Sequence, residues 1–309
     1  MESAGRWSGK TAFITGGVSG IGFGIARAFS NAGMSLILSY RNEAYRAEAE
    51  RWFIAQGRAA PHFVKLDVTD RARWAEVVAE VRAVDVLVNN AGVSVFGPTD
   101  EASYADHDWI MGVNYGGVVN GLVSFIPQMK AIAPDADGRR GHIVNVASMA
   151  AFCAGPQAGI YTASKFAVRG LTECLRYNLA PHGICVSLMC PGLTKTNAWD
   201  SALKRPEAFA ASGFAPPVRA ELEQFGTGFD LGMDPLEVGE KTLAGMTANA
   251  GLILTHPDHA EDIEEIFHTT MAALPREPIP EGRAHIEALR RAANRAAAAG
   301  DMINLGDLT

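Results

Sequence analysis

The 309-residue chain predicts an α/β fold: a doubly wound, seven-stranded parallel sheet with helices on both faces, plus a C-terminal helical extension. Three observations carry this expectation. Apolar, β-branched runs alternate with amphipathic stretches along most of the chain. The runs are nearly continuous in apolar residues, as strands covered on both faces must be. A glycine-rich turn, Gly16-Gly17-Val18-Ser19-Gly20-Ile21-Gly22, separates the first run from the first amphipathic stretch.

The elements follow in order. The first strand is expected over 11–15, as Thr11-Ala-Phe-Ile-Thr15, and the first helix over 20–32, where Ile21, Ile25, Ala28 and Phe29 recur at helical spacing. Strand, glycine turn and helix form the context of a dinucleotide fingerprint. Gly16 permits the tight turn, Gly20 lets the backbone approach a pyrophosphate, and Gly22 lets helix and strand pack closely. The helix amino terminus presents free N–H groups and a positive dipole end to the phosphates. Further strands are expected near 35–39, 61–66, 85–89, 142–147, 184–189 and 252–255. The remaining helices are expected near 43–56, 70–82, 102–131, 158–181 and 236–248.

Two segments break this rhythm. Residues 197–234 scatter Trp199, Phe209, Phe214, Pro216-Pro217 and Phe225 among charges. They follow the strand end that carries Pro191-Gly192, where open α/β sheets bind ligands. In the tail, Ile263, Ile266, Phe267 and Met271 suit an amphipathic helix, Pro275 to Pro280 breaks it, and an Ala/Arg-rich helix is expected over about 281–299. The tail has three readings: a cover for the active site, a contact with a sister subunit, or a cap on the fold. The division expected is 1–256 for the nucleotide-binding catalytic domain and 257–309 for the extension.

Composition bounds the function. The net charge of −7 argues against sequence-independent binding of nucleic acid. No basic, apolar leader opens the chain and no eighteen consecutive apolar residues occur, so neither export nor a membrane span is expected. Cys153, Cys174, Cys185 and Cys190 lack Cys-x-x-Cys or zinc-like spacing and read as reduced thiols in a cytoplasm, mostly core filler. His142, His182 and His256 have no partner spacing for a metal or a triad, so no metal is expected.

The chemistry concentrates in Tyr161-Thr-Ala-Ser-Lys165, with Ser148 thirteen residues upstream. A helix places positions four apart on one face, so an ammonium group stands beside a phenol. An isolated tyrosine titrates near 10, and a nearby cation favours the phenolate. With the glycine turn, these residues resemble the short-chain dehydrogenase/reductase family. Its other signatures fall in order: Asp67-Val68, Asn89-Asn90-Ala91-Gly92, Asn114 within Gly-Val-Asn-Tyr-Gly, Ser148 closing His142-Ile-Val-Asn-Val-Ala-Ser, and Pro191-Gly192 with Thr196. The resemblance spans about residues 9–256 and implies a Rossmann-type fold, a reaction and roles.

It implies that Tyr161 exchanges a proton with the substrate oxygen, Ser148 hydrogen-bonds that oxygen, and Lys165 lowers the phenol pKa and holds the nicotinamide ribose. Asn114 would support a water that reprotonates Lys165. Gly16, Ser19, Gly20, Ile21 and Gly22 would hold the pyrophosphate, Asp67 and Val68 the adenine, and Asn90, Ala91 and Gly92 the region beside the ribose. Pro191-Gly192-Leu193 would run beneath the nicotinamide, with Thr194 or Thr196 near its amide or phosphates. NAD-specific relatives carry an acid where Tyr40 stands here, and Arg41 follows it. A guanidinium suits a 2′-phosphate and no carboxylate is aligned there to repel one, so NADP(H) is the expected coenzyme, with NAD(H) an alternative. Ser19 supplies no second basic residue.

Candidates for the substrate wall are Val93, Val95, Met149, Phe152, Cys153, Gln157, Leu193 and Trp199, mostly apolar, which suits a bulky hydrophobic ketone or secondary alcohol better than a sugar. Residues 197–234 occupy the place of the family's substrate lid. Asp108 to Asn114, Gly116 to Gly121, Asn197 to Arg205 and the tail resemble a longer bacterial subgroup that includes Cα-dehydrogenases of aryl ethers, which implies aromatic substrates. Those enzymes carry an acid at the position of Tyr40 and favour NAD. The family implies a homodimer or homotetramer through the helices near 102–131 and 158–181. A catalytically silent coenzyme sensor would not need Asn114, Ser148, Tyr161 and Lys165 together. A lyase or dehalogenase on this scaffold would not need the glycine cradle.

Overall fold

Why the glycine turn faces the active site follows from strand order. In the computed structural model, which describes residues 2–81, 83–304 and 306, seven parallel strands form one sheet in the order β3-β2-β1-β4-β5-β6-β7. They are β1 Thr11–Ile14, β2 Ser35–Tyr40, β3 His62–Lys65, β4 Val86–Asn89, β5 Gly141–Val146, β6 Ile184–Cys190 and β7 Leu252–Leu254. The order reverses between β1 and β4, which pair from Ala12 with Val86 to Ile14 with Val88. That switch point places a binding cleft at the carboxyl ends of the strands.

The helices are α1 Glu2–Trp7, α2 Gly20–Asn31, α3 Glu43–Ala55, α4 Arg71–Glu80, α5 Tyr104–Met111, α6 Gly117–Ala131, α7 Gly159–Leu179, α8 Arg219–Thr227, α9 Pro235–Thr247, α10 Ala260–Ala272 and α11 Glu281–Ala299. The doubly wound arrangement is as expected, and two apolar clusters fill its two faces. Phe13, Trp74, Trp109 and Phe125 anchor one, and Ile14, Ile25, Phe29 and Phe53 the other. The expected helix limit at residue 82 lies outside the described residues.

Several elements differ from expectation. The helix expected over 102–131 is α5 and α6 joined by a π-helical turn, Gly112–Gly116. The run from Tyr104 to Ala131 is long and apolar enough to cross a membrane by length and composition, yet 56% of its apolar window is buried inside the molecule, as in a core helix. Residues 197–234 are built of the 3-10 helix Asn197–Lys204, a 3-10 turn Glu207–Phe209, α8 and a 3-10 turn Gly228–Leu231. The tail breaks at the proline cluster, and α11 returns onto α7 and the turn Ala180–His182, burying Ala293 and Ala297. That part of the tail caps the fold. Helix α10 leaves Ile266, Phe267 and Met271 exposed.

Candidate active site

Ser148, Tyr161, Lys165 and Asn114 converge at the carboxyl ends of β4, β5 and β6. Ser148 follows β5 and caps the 3-10 turn Met149–Ala151, its Oγ accepting from the Ala150 N–H at 3.1 Å. Tyr161 stands in the first turn of α7, and its hydroxyl is hydrogen-bonded to Ser148. One helical turn on, the buried Lys165 ammonium lies 5.5 Å from the Tyr161 ring centroid and donates to the Val146 carbonyl at 3.2 Å. A Cβ on Gly92 would lie 3.6 Å from Lys165 Nζ and 3.2 Å from Asn114 Oδ1, so the loop after β4 meets the same point.

Asn114 sits in the π-helical turn, a distortion that re-aims one side chain out of helical register. Its Oδ1 accepts from the Val93 N–H at 2.8 Å, and its Nδ2 donates to the Val93 carbonyl and to Ser164 Oγ, both at 3.0 Å. Ser164 donates to the Tyr161 carbonyl at 2.6 Å. Asn114 therefore locks the loop after β4 to α7 beneath the tyrosine.

The electrostatics correct one expectation. Burial pushes the Tyr161 phenol above its ordinary value, the Ser148 hydrogen bond pulls it back, and Cys190 pushes it up further. The ammonium, 5.5 Å from the ring centroid, does not offset burial here. Burial lowers Lys165 to about 8, with Cys190 acting in the opposite sense. Below that pH the pair is a neutral phenol beside a cation, poised as a proton donor.

The nucleotide cradle lies at the switch point. Gly16 and Gly20 have φ of 61° and 51°, the left-handed region. Gly22 admits no side chain, since a Cβ would lie 2.3 Å from the Gly16 carbonyl oxygen. Ser19 begins α2 without a side-chain cap, which leaves the first amides of the helix for an anion. Ile21 packs in the apolar cluster behind the turn. Asn90 braces this turn, donating to the Thr15 carbonyl at 2.8 Å, while the Asn90 and Ala91 amides donate to Thr15 Oγ1 at 2.8 and 2.9 Å. These features fit a dinucleotide pyrophosphate.

At the end of β2, Arg41 pairs with Asp67 at 3.0 Å. Burial works to raise the Asp67 carboxyl, but hydrogen bonds from Thr69 and Arg41 outweigh it and hold it low. Val68 is buried, its carbonyl accepting from Trp74 and Asn120. The expectation of no carboxylate at this point is corrected. Burial raises the Tyr40 phenol, and Glu43, the first residue of α3, hydrogen-bonds its hydroxyl while paired to Arg46.

Beyond β6, the Pro191 carbonyl accepts from the Met149 N–H at 2.9 Å, and Thr194 Oγ1 donates to the Gly192 carbonyl at 3.1 Å. His256 clasps this loop: Nδ1 accepts from the Gly192 N–H at 2.9 Å, so Nε2 donates to the Leu193 carbonyl at 2.8 Å. Thr196 crosses to α2, where a Cβ on Gly20 would lie 3.2 Å from its methyl group.

The expected wall residues divide. Val93, Val95 and Met149 are buried in the core, Leu193 and Gln157 are exposed, and Trp199 packs against Gly226 of α8. Phe152 lies under the Arg169 guanidinium, 4.0 Å from its ring centroid, which makes it a packing contact on α7. Cys153 gathers with His259 and Asp262 of the tail, their donor atoms within 4.8 Å of one another. Cys174 is exposed, against the expectation of core filler. Sequence reasoning also missed Asp106, which pairs with Arg205 at 2.6 Å inside the molecule. No spacing signals such contacts, because the partners lie about a hundred residues apart.

The short chain dehydrogenase family model matches residues 10–207. The chain belongs to the short-chain dehydrogenases. This dehydrogenase is 36% identical over 290 residues to the Cα-dehydrogenase of Sphingobium sp. strain SYK-6, covering 91% of this chain and 92% of the relative. Among solved structures, it resembles a short chain dehydrogenase/reductase of Burkholderia phymatum in complex with NAD (TM-score 0.78, 32% identity, 89% and 99% of the two chains). It also resembles the apo form of LigO from strain SYK-6 (TM-score 0.72, 32% identity, 98% and 100% covered). It is an oxidoreductase acting on alcohols and ketones with a nicotinamide dinucleotide.

Proposed function

We propose that this dehydrogenase interconverts a secondary alcohol and a ketone (or aldehyde) on a bulky aromatic or hydrophobic substrate, with NADP(H) as preferred coenzyme. The observation that carries this reading is the Tyr161 hydroxyl bonded to Ser148 with the buried Lys165 beside it, at the mouth of the glycine cradle. When bound, the nicotinamide supplies or accepts hydride at the carbinol carbon. Ser148 hydrogen-bonds the substrate oxygen and fixes it against Tyr161. In reduction Tyr161 donates its proton to the nascent alkoxide, and in oxidation it takes that proton back. Lys165 stabilises the transient phenolate by its charge. Asn114 holds the loop after β4, so that Gly92 and Lys165 stay in register.

The substrate class is supported by aromatics grouped in the lid and beside it. Phe96, Phe225 and Phe229 pack edge to face at 5.2 and 5.6 Å, and Phe214 covers Gly97. The similarity to a Cα-dehydrogenase points the same way. Arg41 at the end of β2 supports NADP(H). A second reading, an NAD-dependent benzylic alcohol dehydrogenase, is favoured by the Asp67 carboxylate on Arg41 and by the NAD complex of the Burkholderia relative. We place the enzyme in the cytoplasm as a homodimer or homotetramer, for which exposed Tyr104, Val123 and Phe166 supply apolar surface.

Coenzyme oxidation against aryl ketones, aldehydes, steroids and sugars tests this directly. The expected result is fastest NADPH consumption with aryl ketones. Turnover confined to sugars, or a clear preference for NADH, would overturn the substrate or the coenzyme assignment respectively.

A further inference from the structure

A 2′-phosphate carries nearly two negative charges at neutral pH, and Arg41, already paired with Asp67, balances only part of that. The glycine turn offers Ser19 and no cation. Other cations near the end of β2 are engaged by acids: Arg46 pairs with Glu43 and Glu50, and Lys65 acts on Glu43.

One further cation arrives from across the cleft. The 3-10 helix Asn197–Lys204 is pinned along its length. Thr196 lies against Gly20, Ser201 Oγ accepts from the Ser94 N–H at 3.1 Å, and the neighbouring Arg205 is held by Asp106 at 2.6 Å. Its last residue, Lys204, therefore reaches α3. The ammonium lies 3.3 Å from the Tyr45 hydroxyl and 5.3 Å from its ring centroid. Tyr45 is the third residue of α3, whose capping residue Asn42 directly follows Arg41. Asp200 neutralises Lys204 at 2.6 Å. Only the Lys204 end of these contacts is exposed, Asp200 being mostly buried, and at that exposed end a more highly charged anion competes for the ammonium.

We propose that Lys204 is the second cation of the coenzyme's 2′-phosphate site, delivered by the lid, so that the phosphate draws the strap from Thr196 to Lys204 shut across the nucleotide. This rests on the NADP(H) reading above. It gives the coenzyme's phosphate a direct hold on the segment that begins the substrate lid.

Equilibrium binding of NADPH, NADH, 2′,5′-ADP and 5′-AMP, read by fluorescence and calorimetry without turnover, tests it. Lys204→Met should weaken NADPH and 2′,5′-ADP about tenfold and leave NADH and 5′-AMP within about twofold, and Lys204→Arg should restore most of the loss. Tyr45→Phe, which keeps the ring, should leave all four ligands near wild type. In the wild type, 2′,5′-ADP but not 5′-AMP should slow hydrogen exchange over 197–204. Equal weakening of NADH and NADPH by Lys204→Met would make Lys204 a strap fastener only and overturn the proposal, as would no change in either. Wild-type preference for NADH would instead sink the coenzyme reading, which separates the two failures.

Discussion

Tyr161 and Lys165 were legible because a helix fixes which residues share a face, and a separation of four positions between phenol and amine leaves little freedom. The sign of their mutual effect was not legible. It depends on burial, which spacing does not record. A buried lysine at about 8 has a definite consequence. The unfolded chain holds that proton up to about 10.4, so between those values unfolding takes up a proton and stability rises with pH. Urea unfolding should show this rise from pH 8 to 10, and Lys165→Met should abolish it. The same substitution should remove a step near pH 8 from the pH profile of kcat/KM.

At the scale of elements, strand positions and most helix limits could be read from apolar runs and periodicity. The π-helical turn at Gly112–Gly116 could not, because it preserves the apolar pattern while shifting the hydrogen bonds. The lid's order was also hidden. Asp106 in α5 accepts from Ser103, Ser212 and Gly213 and pairs with Arg205, which stacks on Trp109 at 4.6 Å. Burial opposes its charge, but these donors outweigh it and hold the carboxyl far below its usual range. The stabilisation is full above a pH of about 4 and is lost only in stronger acid. Asp106→Ala strands a largely covered guanidinium and should cost about 3 kcal/mol in denaturant unfolding. Proteolysis should then cut first within 197–214.

For the whole molecule, the doubly wound parallel sheet was implied by the glycine turn and the alternation of apolar runs with amphipathic stretches, and the strand order realises it. The reach of the tail was not legible, since α11 closes on α7 through small alanines that carry no pattern of their own. Acid sensitivity belongs to this scale too. His142 is buried in β5 against Ser187 Oγ at 2.8 Å, and burial lowers it to about 3, with Arg176, Arg139 and Arg6 adding to the shift. Its folded pKa lies below the unfolded value of about 6.5, so stability falls as pH drops beneath that value. The loss should reach about 2 kcal/mol at pH 5, and His142→Gln should flatten that slope. The central claim is that one sheet brings a neutral tyrosine to the oxygen of a carbonyl receiving hydride. Its most direct measurement is transfer of label from 4-deuterated NADPH to the carbinol carbon of an aryl ketone, in the wild type and in Tyr161→Phe. The account predicts label in the wild-type product, and in Tyr161→Phe a rate reduced about 10²–10⁴-fold with coenzyme binding intact. Near-normal transfer by Tyr161→Phe would contradict it.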